Sequence, residues 1–395
     1  MLRFKNLNGL EYSERSRVPL GQVAMYRNES KSASELGCNE YISTENLLQE
    51  YAGVELTDAQ PSTIKVNAFR KGDTLMSNIR PYLKKVWQAD FDGGCNADVL
   101  VFHSKDITVL DNDYLFHFIA RDEFSDYVMS CAKGVKMPRG DKKHIMECEI
   151  PLPSIEEQQK IADCLSSVDA VITDYEAQVD NMRNQKKGVM QKLFSQEVRF
   201  KADDGSEYPD WENMKLSDIC TITSGGTPST GEPAYWDGDI NWYSPNEIGK
   251  TKYVSESNRK ISELGLKKSS AKMLPKGTIL LTTRATLGEM AITTSECCTN
   301  QGFHPLIVND ENEIDFVYYM QPIIKEYCKK YASGSTFLEI GPKQLGNMPV
   351  ARPVKEEQQK IADCLTAFDD AIEDLQKTVE HWKNIKKGLL QQLFA

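Results

Sequence analysis

The chain has 395 residues, of which 40% are hydrophobic and 27% charged, and its formal net charge is -11 at pH 7. This length and composition favour at least two packed domains and exclude a disordered chain. The sequence contains no run of about 18 apolar residues and no signal-peptide core, so we expect a cytoplasmic protein without a membrane segment. The cysteines form no CxxC pair, so neither a zinc site nor a disulfide framework is indicated.

The first segment, residues 1–155, has no helical period. Its short apolar runs are separated by Gly, Asn, Asp and Pro, which predicts a mixed α/β domain. Residues 133–143 hold five basic residues against Asp141 alone, which makes them a candidate stripe for phosphate contacts. A solvated charged surface or a turn-forming role would explain each candidate side chain almost as well. The candidates for DNA contact are Asn78, Arg80, Tyr82, Asn96, Lys133, Lys136, Arg139 and Lys142.

Residues 156–199 predict a long helix. Apolar residues recur there at alternating steps of four and three, the pattern of a coiled-coil seam. The helix follows the segment PLPS, in which proline ends the preceding element, and two glutamates suit the positive end of the helix dipole. The seam consists of Ile161, Leu165, Val168, Ile172, Tyr175, Val179 and Met182.

The third segment, residues 200–355, again has the composition of an α/β domain. Residues 250–276 hold eight basic residues against two glutamates, a second candidate phosphate stripe. Polar side chains on predicted loops could read base edges, although capping and turn roles are equally good explanations. The candidates are Ser224, Thr227, Asn241, Trp242, Ser244, Asn246, Lys252, Lys267, Lys268, Arg284, Asn300 and Gln301.

The last segment, residues 356–395, repeats the first helix. The decapeptide EEQQKIADCL occurs at 156–165 and at 356–365, and the two 40-residue stretches agree at 21 of 40 positions. At 1.5 Å per residue each helix, of roughly 39 residues, would be about 58 Å long. A repeat of this kind is one structural element used twice.

The two α/β segments also show a weak, ordered similarity. KGDTLMSNIRPYL corresponds to KGTILLTTRATLG, and CAKGVKMPRG corresponds to YASGSTFLEIG. The predicted order is therefore domain, helix, domain, helix, with α/β domains at 1–155 and 200–355 and long coiled-coil helices at 156–199 and 356–395. Whether the first 17 residues pack against the last helix is left open.

This pattern resembles the specificity subunit of type I restriction-modification enzymes over essentially the full chain. The resemblance lies in the paired EEQQKIADCL motifs and in the runs LSDICTITSGGTPST, YWDGDINWYSP, LPKGTILLTTRATLGEMAI and TNQGF. It implies an α+β fold with two pseudo-twofold-related α/β target recognition domains separated by two long antiparallel coiled-coil helices. Each domain would read one half of a split, asymmetric site in double-stranded DNA. It also implies that the helices act as a spacer and dock two modification subunits, which methylate adenine at N6; restriction subunits that translocate DNA could join them.

The same resemblance implies a non-catalytic subunit. S-adenosylmethionine, ATP and Mg²⁺ are then expected on the partner subunits and none on this chain. The residues agree, because SPNEIGKT at 244–251 lacks the first glycine of a phosphate-binding loop and the five histidines have no metal spacing. Since all four segments are net acidic, DNA binding by the chain alone should be weak. The alternatives are a coiled-coil adaptor without a DNA role and a fused nuclease.

Overall fold

The computed structural model describes residues 3–5, 9, 10, 12, 14–58, 60–284, 286–334 and 338–395. The chain forms two compact units, Met1–Gln178 with Leu375–Ala395, and Val179–Asp374. Each unit therefore contains one α/β region and parts of both long helices. In the described residues no helix has both the length and the apolar character needed to cross a membrane.

The first unit contains two four-stranded sheets and one two-stranded ladder. The strands are β1 (Ser16–Pro19), β2 (Ala24–Tyr26), β3 (Ser30–Ser32), β4 (Tyr41–Ile42), β5 (Lys65–Phe69), β6 (Thr74–Ser77), β7 (Val86–Gln88), β8 (Gly93–Cys95), β9 (Val99–Ser104) and β10 (Glu149–Leu152). The sheets have the strand orders β2-β9-β6-β7 and β3-β5-β8-β4, and β1 pairs with β10. The helices are α1 (Leu20–Val23), α2 (Asn112–Ile119), α3 (Asp122–Ser130), α4 (Lys142–Glu147) and α5 (Ile155–Phe194).

The second unit repeats this arrangement with small changes. Its strands are β11 (Glu212–Lys215), β12 (Cys220–Ile222), β13 (Trp236–Tyr243), β14 (Tyr253–Val254), β15 (Arg259–Ile261), β16 (Ile279–Leu281), β17 (Met290–Thr293), β18 (Cys297–Thr299), β19 (Leu306–Val308) and β20 (Pro349–Arg352). The sheets have the orders β12-β19-β16-β17-β14 and β15-β13-β18, and β11 pairs with β20. The helices are α6 (Leu216–Ile219), α7 (Glu263–Lys267), α8 (Ile314–Tyr319), α9 (Gln321–Tyr331), α10 (Pro342–Gly346) and α11 (Lys355–Leu393).

The strand before each long helix pairs with the first strand of its own unit. Val18 lies opposite Ile150, and Met214 lies opposite Val350. The apolar side chains of these ladders join the main core of each unit, together with Ile161 and Leu165 in the first and Ile361 and Leu365 in the second. The start of each long helix is thus built into the hydrophobic core of one unit.

The repeated decapeptide holds each helix to its own α/β region through a glutamine. Gln158 Nε2 donates to the carbonyl oxygens of Val109 and Pro153, each at 2.9 Å, and its Oε1 accepts from the backbone of Asp111. Gln358 makes the corresponding bonds to Pro353 and Glu313, each at 2.9 Å. Because both amides are fully buried, their donors and acceptors have to be satisfied inside the fold.

A fully buried carboxylate precedes each glutamine. Glu157 accepts from Arg15 at 2.7 Å and from Arg3 at 3.1 Å. Glu357 accepts from Arg199 at 2.8 Å and from the indole of Trp211 at 3.1 Å. A buried charge needs such partners, because leaving it unpaired is strongly destabilising.

The described part of the N-terminal segment packs within the first unit. The Arg15 guanidinium donates to the carbonyl of Leu393, close to the end of α11, and Phe4 packs on the core that contains Phe394. The question left open by the sequence is therefore answered for these residues. Lys160 donates to the Lys5 carbonyl at 2.9 Å. The second unit has the equivalent bond, in which Lys360 donates to the Lys201 carbonyl at 2.8 Å.

Helices α5 and α11 pack against each other in opposite directions. In the first unit, Lys386 pairs with Asp169 at 2.6 Å and Lys383 pairs with Glu176 at 2.7 Å. In the second unit, Lys186 pairs with Asp369. The predicted seam residues Ile172 and Val179 are buried, and so are Ile372 and Val379 at the same positions of the repeat in the second helix. The antiparallel coiled-coil prediction is therefore confirmed within each unit.

Candidate nucleic-acid interface

In the first unit three chain segments meet at one place, which we call the first-unit edge: residues 78–82 after β6, 96–98 after β8, and the hairpin loop 133–139. Asn78 N donates to the Asp98 carbonyl at 2.8 Å, and Arg80 N donates to the Pro138 carbonyl at 2.8 Å. The Arg139 guanidinium donates to both carboxylate oxygens of Asp98 at 3.1 and 3.2 Å. Tertiary contacts thus bring candidates from three distant parts of the sequence together.

The side chains at this edge differ in their access to solvent. Arg80, Lys133, Lys136, Arg139 and Lys142 are exposed, and 47% of the Tyr82 side chain is accessible. Asn96 is half-buried and its Oδ1 accepts from the backbone of Asp98 at 2.8 Å. Asn78 is buried, and its Oδ1 has no hydrogen-bond partner among the described residues. The exposed cations and Tyr82 are therefore accessible for contact, whereas Asn78 faces the interior.

Arg80 has an unusual backbone conformation. Its φ is 51°, in the left-handed region that residues other than glycine seldom adopt. The contact with Pro138 and a second bond, from Leu83 N to the Arg80 carbonyl at 2.9 Å, hold this turn in place. Strained backbone of this kind persists only where the surrounding structure enforces it, and it is enriched at functional sites.

Two acidic residues pair with two of the cations at this edge. Lys133 lies 2.8 Å from Asp141. That hydrogen bond, with two backbone N–H groups at the start of α4, lowers the pKa of Asp141 to about 2. The hydrogen bonds that Arg139 donates to Asp98 raise the pKa of Arg139 above its usual value. Both cations therefore stay charged over the whole physiological pH range.

The second unit has a corresponding second-unit edge, formed by residues 224–227, 283 and 284, 300–302, and the described part of 333–339. Thr283 N donates to the Gly302 carbonyl at 2.8 Å, and Gly226 N donates to the Thr299 carbonyl at 2.8 Å. Arg284 forms a backbone bridge to Glu339, which in turn pairs with Ser333. The guanidinium of Arg284 lies 4.0 Å from the Glu339 carboxylate.

Glycine is required where 224–227 crosses the end of β18. A Cβ atom on Gly225 would lie 2.0 Å from the Asn300 carbonyl oxygen, and one on Gly226 would lie 2.4 Å from the Ala271 backbone. This close approach places Thr227 beside Gln301, whose side chains hydrogen-bond. Ser224 lies 3.3 Å from the His304 ring, and the Asn300 side chain accepts from Gly302 N at 2.8 Å.

Four other candidates in the second unit lie elsewhere or are already engaged. Asn241 is 9% exposed and bonds Ser255 and Ser257. Trp242 is 6% exposed and donates to the Gly226 carbonyl at 2.9 Å. Ser244 hydrogen-bonds Glu247 at 2.7 Å, whereas Asn246 is exposed. The first three side chains therefore support the loops rather than face solvent.

The lysines of residues 250–276 divide into two groups. Lys267 and Lys268 are exposed at the end of α7, and Lys272 donates to Thr223 at 3.2 Å, next to the second-unit edge. Lys252 is only 11% exposed and bonds Tyr319 and Thr366 at 3.0 and 3.1 Å. The predicted stripe is therefore not one surface.

The two edges share a backbone pattern but not their side chains. Ile79 and Arg284 occupy corresponding bridge positions, as do Arg139 and Glu339. When the two edges are aligned by these bridges, Arg284 corresponds to Ile79, so Arg80 lies one position beyond it. Asp98, Glu339 and the exposed Val135 were not predicted from the sequence. For Val135, the alternation of basic and apolar residues in KGVKMPRG is a signal that could have indicated it.

The described residues contain no group of three or more His, Cys, Asp or Glu side chains that could hold a metal ion. Both edges present hydrogen-bonding side chains and cations. Such groups suit the contacts that proteins make to phosphates and base edges.

Comparisons with known proteins identify the family. The family model for the type I restriction modification DNA specificity domain matches residues 18–182 and 208–381. The MjaIX specificity subunit of Methanocaldococcus jannaschii is 39% identical over 206 residues, which cover 51% of this chain and 48% of that protein. The MjaVIII specificity subunit of the same organism is 28% identical over 424 residues, covering 99% of this chain and 95% of that protein.

The chain thus spans about half the length of the first relative and nearly all of the second. A solved structure describing complex assembly and conformational transition of the type I R-M system superposes on 96% of this chain and 97% of its own, with a TM-score of 0.63 and 20% identity. This likeness supports the fold of two α/β regions and two long packed helices. Because the family model matches most of the chain, twice, the chain belongs to the family of DNA specificity subunits of type I restriction-modification systems.

Proposed function

We propose that this specificity subunit reads a split, asymmetric sequence in double-stranded DNA, with one half-site contacted by each edge. The observation that carries the proposal is the repeated scaffold with different side chains. The first-unit edge presents Arg80, Tyr82 and Arg139, whereas the second-unit edge presents Thr227, Arg284 and Gln301. Two edges with the same backbone and different hydrogen-bonding groups should select two different base sequences.

Contacts to phosphates would position each unit on the duplex. The exposed Lys133, Lys136 and Lys142 serve this role in the first unit, and Lys267 and Lys268 in the second. Phosphate contacts add affinity without sequence information, and they weaken as salt rises. The net charge of -11 makes the isolated chain a poor polyanion binder, so tight binding requires partner subunits that enclose the DNA.

The long helices are proposed to dock two modification subunits and to set the gap between the half-sites. The duplicated decapeptide exposes the same three side chains in both copies. They are Glu156, Gln159 and Asp163 in the first copy and Glu356, Gln359 and Asp363 in the second. Two copies of one partner could use these matching surfaces. A 40-residue helix is about 60 Å long, which suits a gap of roughly 5 to 8 base pairs between half-sites about one DNA turn apart.

In this proposal S-adenosylmethionine, ATP and Mg²⁺ bind to partner subunits. Those partners methylate adenine at N6 and, where restriction subunits are present, translocate and cut DNA in the cytoplasm. The specificity subunit itself is non-catalytic. Its contribution is to hold the modification subunits at one sequence.

Methylome sequencing of the source cells with and without the gene tests the proposal. Loss of methyladenine from one split, asymmetric motif is the expected result, and it would define both half-sites and the gap. An unchanged methylome, in cells that express the neighbouring modification subunit, would contradict it and favour the adaptor alternative.

A further inference from the structure

The hairpin loop 133–139 at the first-unit edge has fixed ends and a projecting middle. The backbones of Lys133 and Arg139 exchange two hydrogen bonds of 2.9 Å. Gly134 turns the chain with φ at 100°, and the buried Pro138 is held by Arg80 through the bond to its carbonyl. The loop is therefore a defined projection from the unit.

The projecting part is apolar. Val135 has a relative accessibility of 103%, so its side chain contacts nothing in the unit, and 45% of Met137 is accessible. Single exposed apolar residues are ordinary, but these two lie on one short loop. The corresponding loop of the second unit carries Leu338 with 52% of its surface accessible. Because Arg139 and Glu339 occupy corresponding bridge positions, Leu338 corresponds to Pro138 and does not repeat the positions of Val135 and Met137.

The apolar side chains lie among cations. Lys133, Lys136 and Arg139 belong to the same loop and are exposed. The carboxylates beside them are engaged, Asp141 by Lys133 at 2.8 Å and Asp98 by Arg139 at 3.1 Å. A cationic loop with an apolar end matches a duplex, because phosphates attract the cations and a base step can accept an aliphatic wedge.

We infer that Val135 and Met137 form a wedge that enters a groove of the DNA and partly unstacks one base step in the half-site of the first unit. The inference rests on the proposed function and adds a mode of recognition to it. Unstacking costs less at flexible pyrimidine–purine steps, so the wedge contributes sequence preference without hydrogen bonds to bases. The rigid ends of the loop keep the wedge in register with Arg80.

The test uses the full chain assembled with its modification subunits and a duplex carrying the motif found by methylome sequencing. 2-Aminopurine, whose fluorescence rises on unstacking, replaces successive bases of the half-site. The wild-type complex should raise the fluorescence at one step. The double variant Val135→Ser with Met137→Gln should abolish that rise and weaken binding to the motif by about tenfold, equivalent to about 1.4 kcal/mol.

Three further variants separate the wedge from other effects. Ile64→Ser removes another aliphatic side chain of the first unit, 84% exposed but outside the loop, and should change neither signal. Lys136→Ala should weaken binding to motif and non-motif duplexes alike while the fluorescence rise persists. Val135→Phe, a larger wedge, should increase the rise.

Full fluorescence and motif binding in the double variant would overturn the wedge and leave the proposed function intact. A variant that loses only its assembly with modification subunits would also overturn it, since the loop would then be a protein contact. If the wild-type complex shows no preference for the motif, the proposed function itself fails.

Discussion

Arg199 donates a hydrogen bond at 2.8 Å to the carboxylate of Glu357, which is fully buried at the start of α11. The bond raises the pKa of Arg199. In the first unit, Arg3 and Glu157 make the corresponding contact. The duplicated decapeptide is therefore used first of all inside each unit, where its glutamate and glutamine fasten the helix to the α/β region.

Replacing Arg199 should destabilise the second unit. Arg199→Met leaves Glu357 with the Trp211 indole but without its charged partner, so the free energy of unfolding should fall by about 3 kcal/mol. Urea unfolding measures the change. Lys201→Met is the matched control, because its salt bridge to Glu207 is exposed and screened by solvent, so its loss should have a much smaller effect. Equal effects of the two changes would show that Glu357 is stabilised in another way.

Two lysines from the same predicted stripe should behave differently. Lys268→Met should reduce the slope of log affinity against log salt by about 1, since it removes one phosphate contact. Lys252→Met should leave that slope unchanged and lower the melting temperature instead, because Lys252 bonds Tyr319 and Thr366 within the unit. Salt titrations of DNA binding and thermal melts of both variants distinguish these outcomes. A reduced slope for Lys252→Met would contradict the assignment.

Changes at the two edges should affect different halves of the recognition motif. Arg80→Ala should relax the sequence at one half-site, and Gln301→Ala should relax it at the other, each by about 1 to 3 kcal/mol per base pair. Methylome sequencing of each variant provides the measurement, and each serves as the control for the other. If both changes relaxed the same half-site, the assignment of one half-site to each unit would be wrong.

Lengthening the helices should lengthen the gap. Insertion of four residues, about one helical turn, into both α5 and α11 should increase the preferred spacing while both half-sites stay the same. Insertion into one helix alone is the control and should impair assembly, because the seams would no longer match. The spacing can be read from the methylome, and an unchanged spacing would show that the helices do not set the gap between the half-sites.

His117 should make the stability of the first unit depend on pH. It is 1% exposed, and burial, with the nearby charge of Lys386, lowers its pKa to about 3. Since the unfolded state binds a proton near pH 6.5 and the folded state does not, stability is complete above that pH and falls below it. Between pH 7.5 and 5.5 the loss should be about 1.4 kcal/mol from this residue.

His117→Tyr tests this expectation with a residue that the chain itself uses in the second unit. Tyr319 hydrogen-bonds Thr366 at 3.1 Å, and His117 hydrogen-bonds Ser166 at 3.1 Å. Urea unfolding at the two pH values should show a smaller difference for the variant. An identical difference would mean that His117 is not the group that titrates.

The sequence by itself determined the long helices and the order of the four segments, whereas the antiparallel pairing of the helices was expected from the family resemblance. Helical periodicity and a 40-residue repeat are local signals, because the seam residues recur along a single element. Helix α5 begins at Ile155 and α11 at Lys355, each one residue before the predicted start. A second local signal was missed: Arg-Phe-Lys occurs at 3–5 and again at 199–201, and both copies pack on a helix start.

The edges were decided only by the tertiary structure. Residues near 80, 97 and 136 become neighbours through sheet pairing and backbone contacts that no local pattern encodes. Composition likewise grouped Lys252 with Lys268, but whether a lysine faces solvent or a buried tyrosine depends on what packs beside it. Periodicity specifies an element from its own residues, whereas a site built from three loops depends on long-range packing.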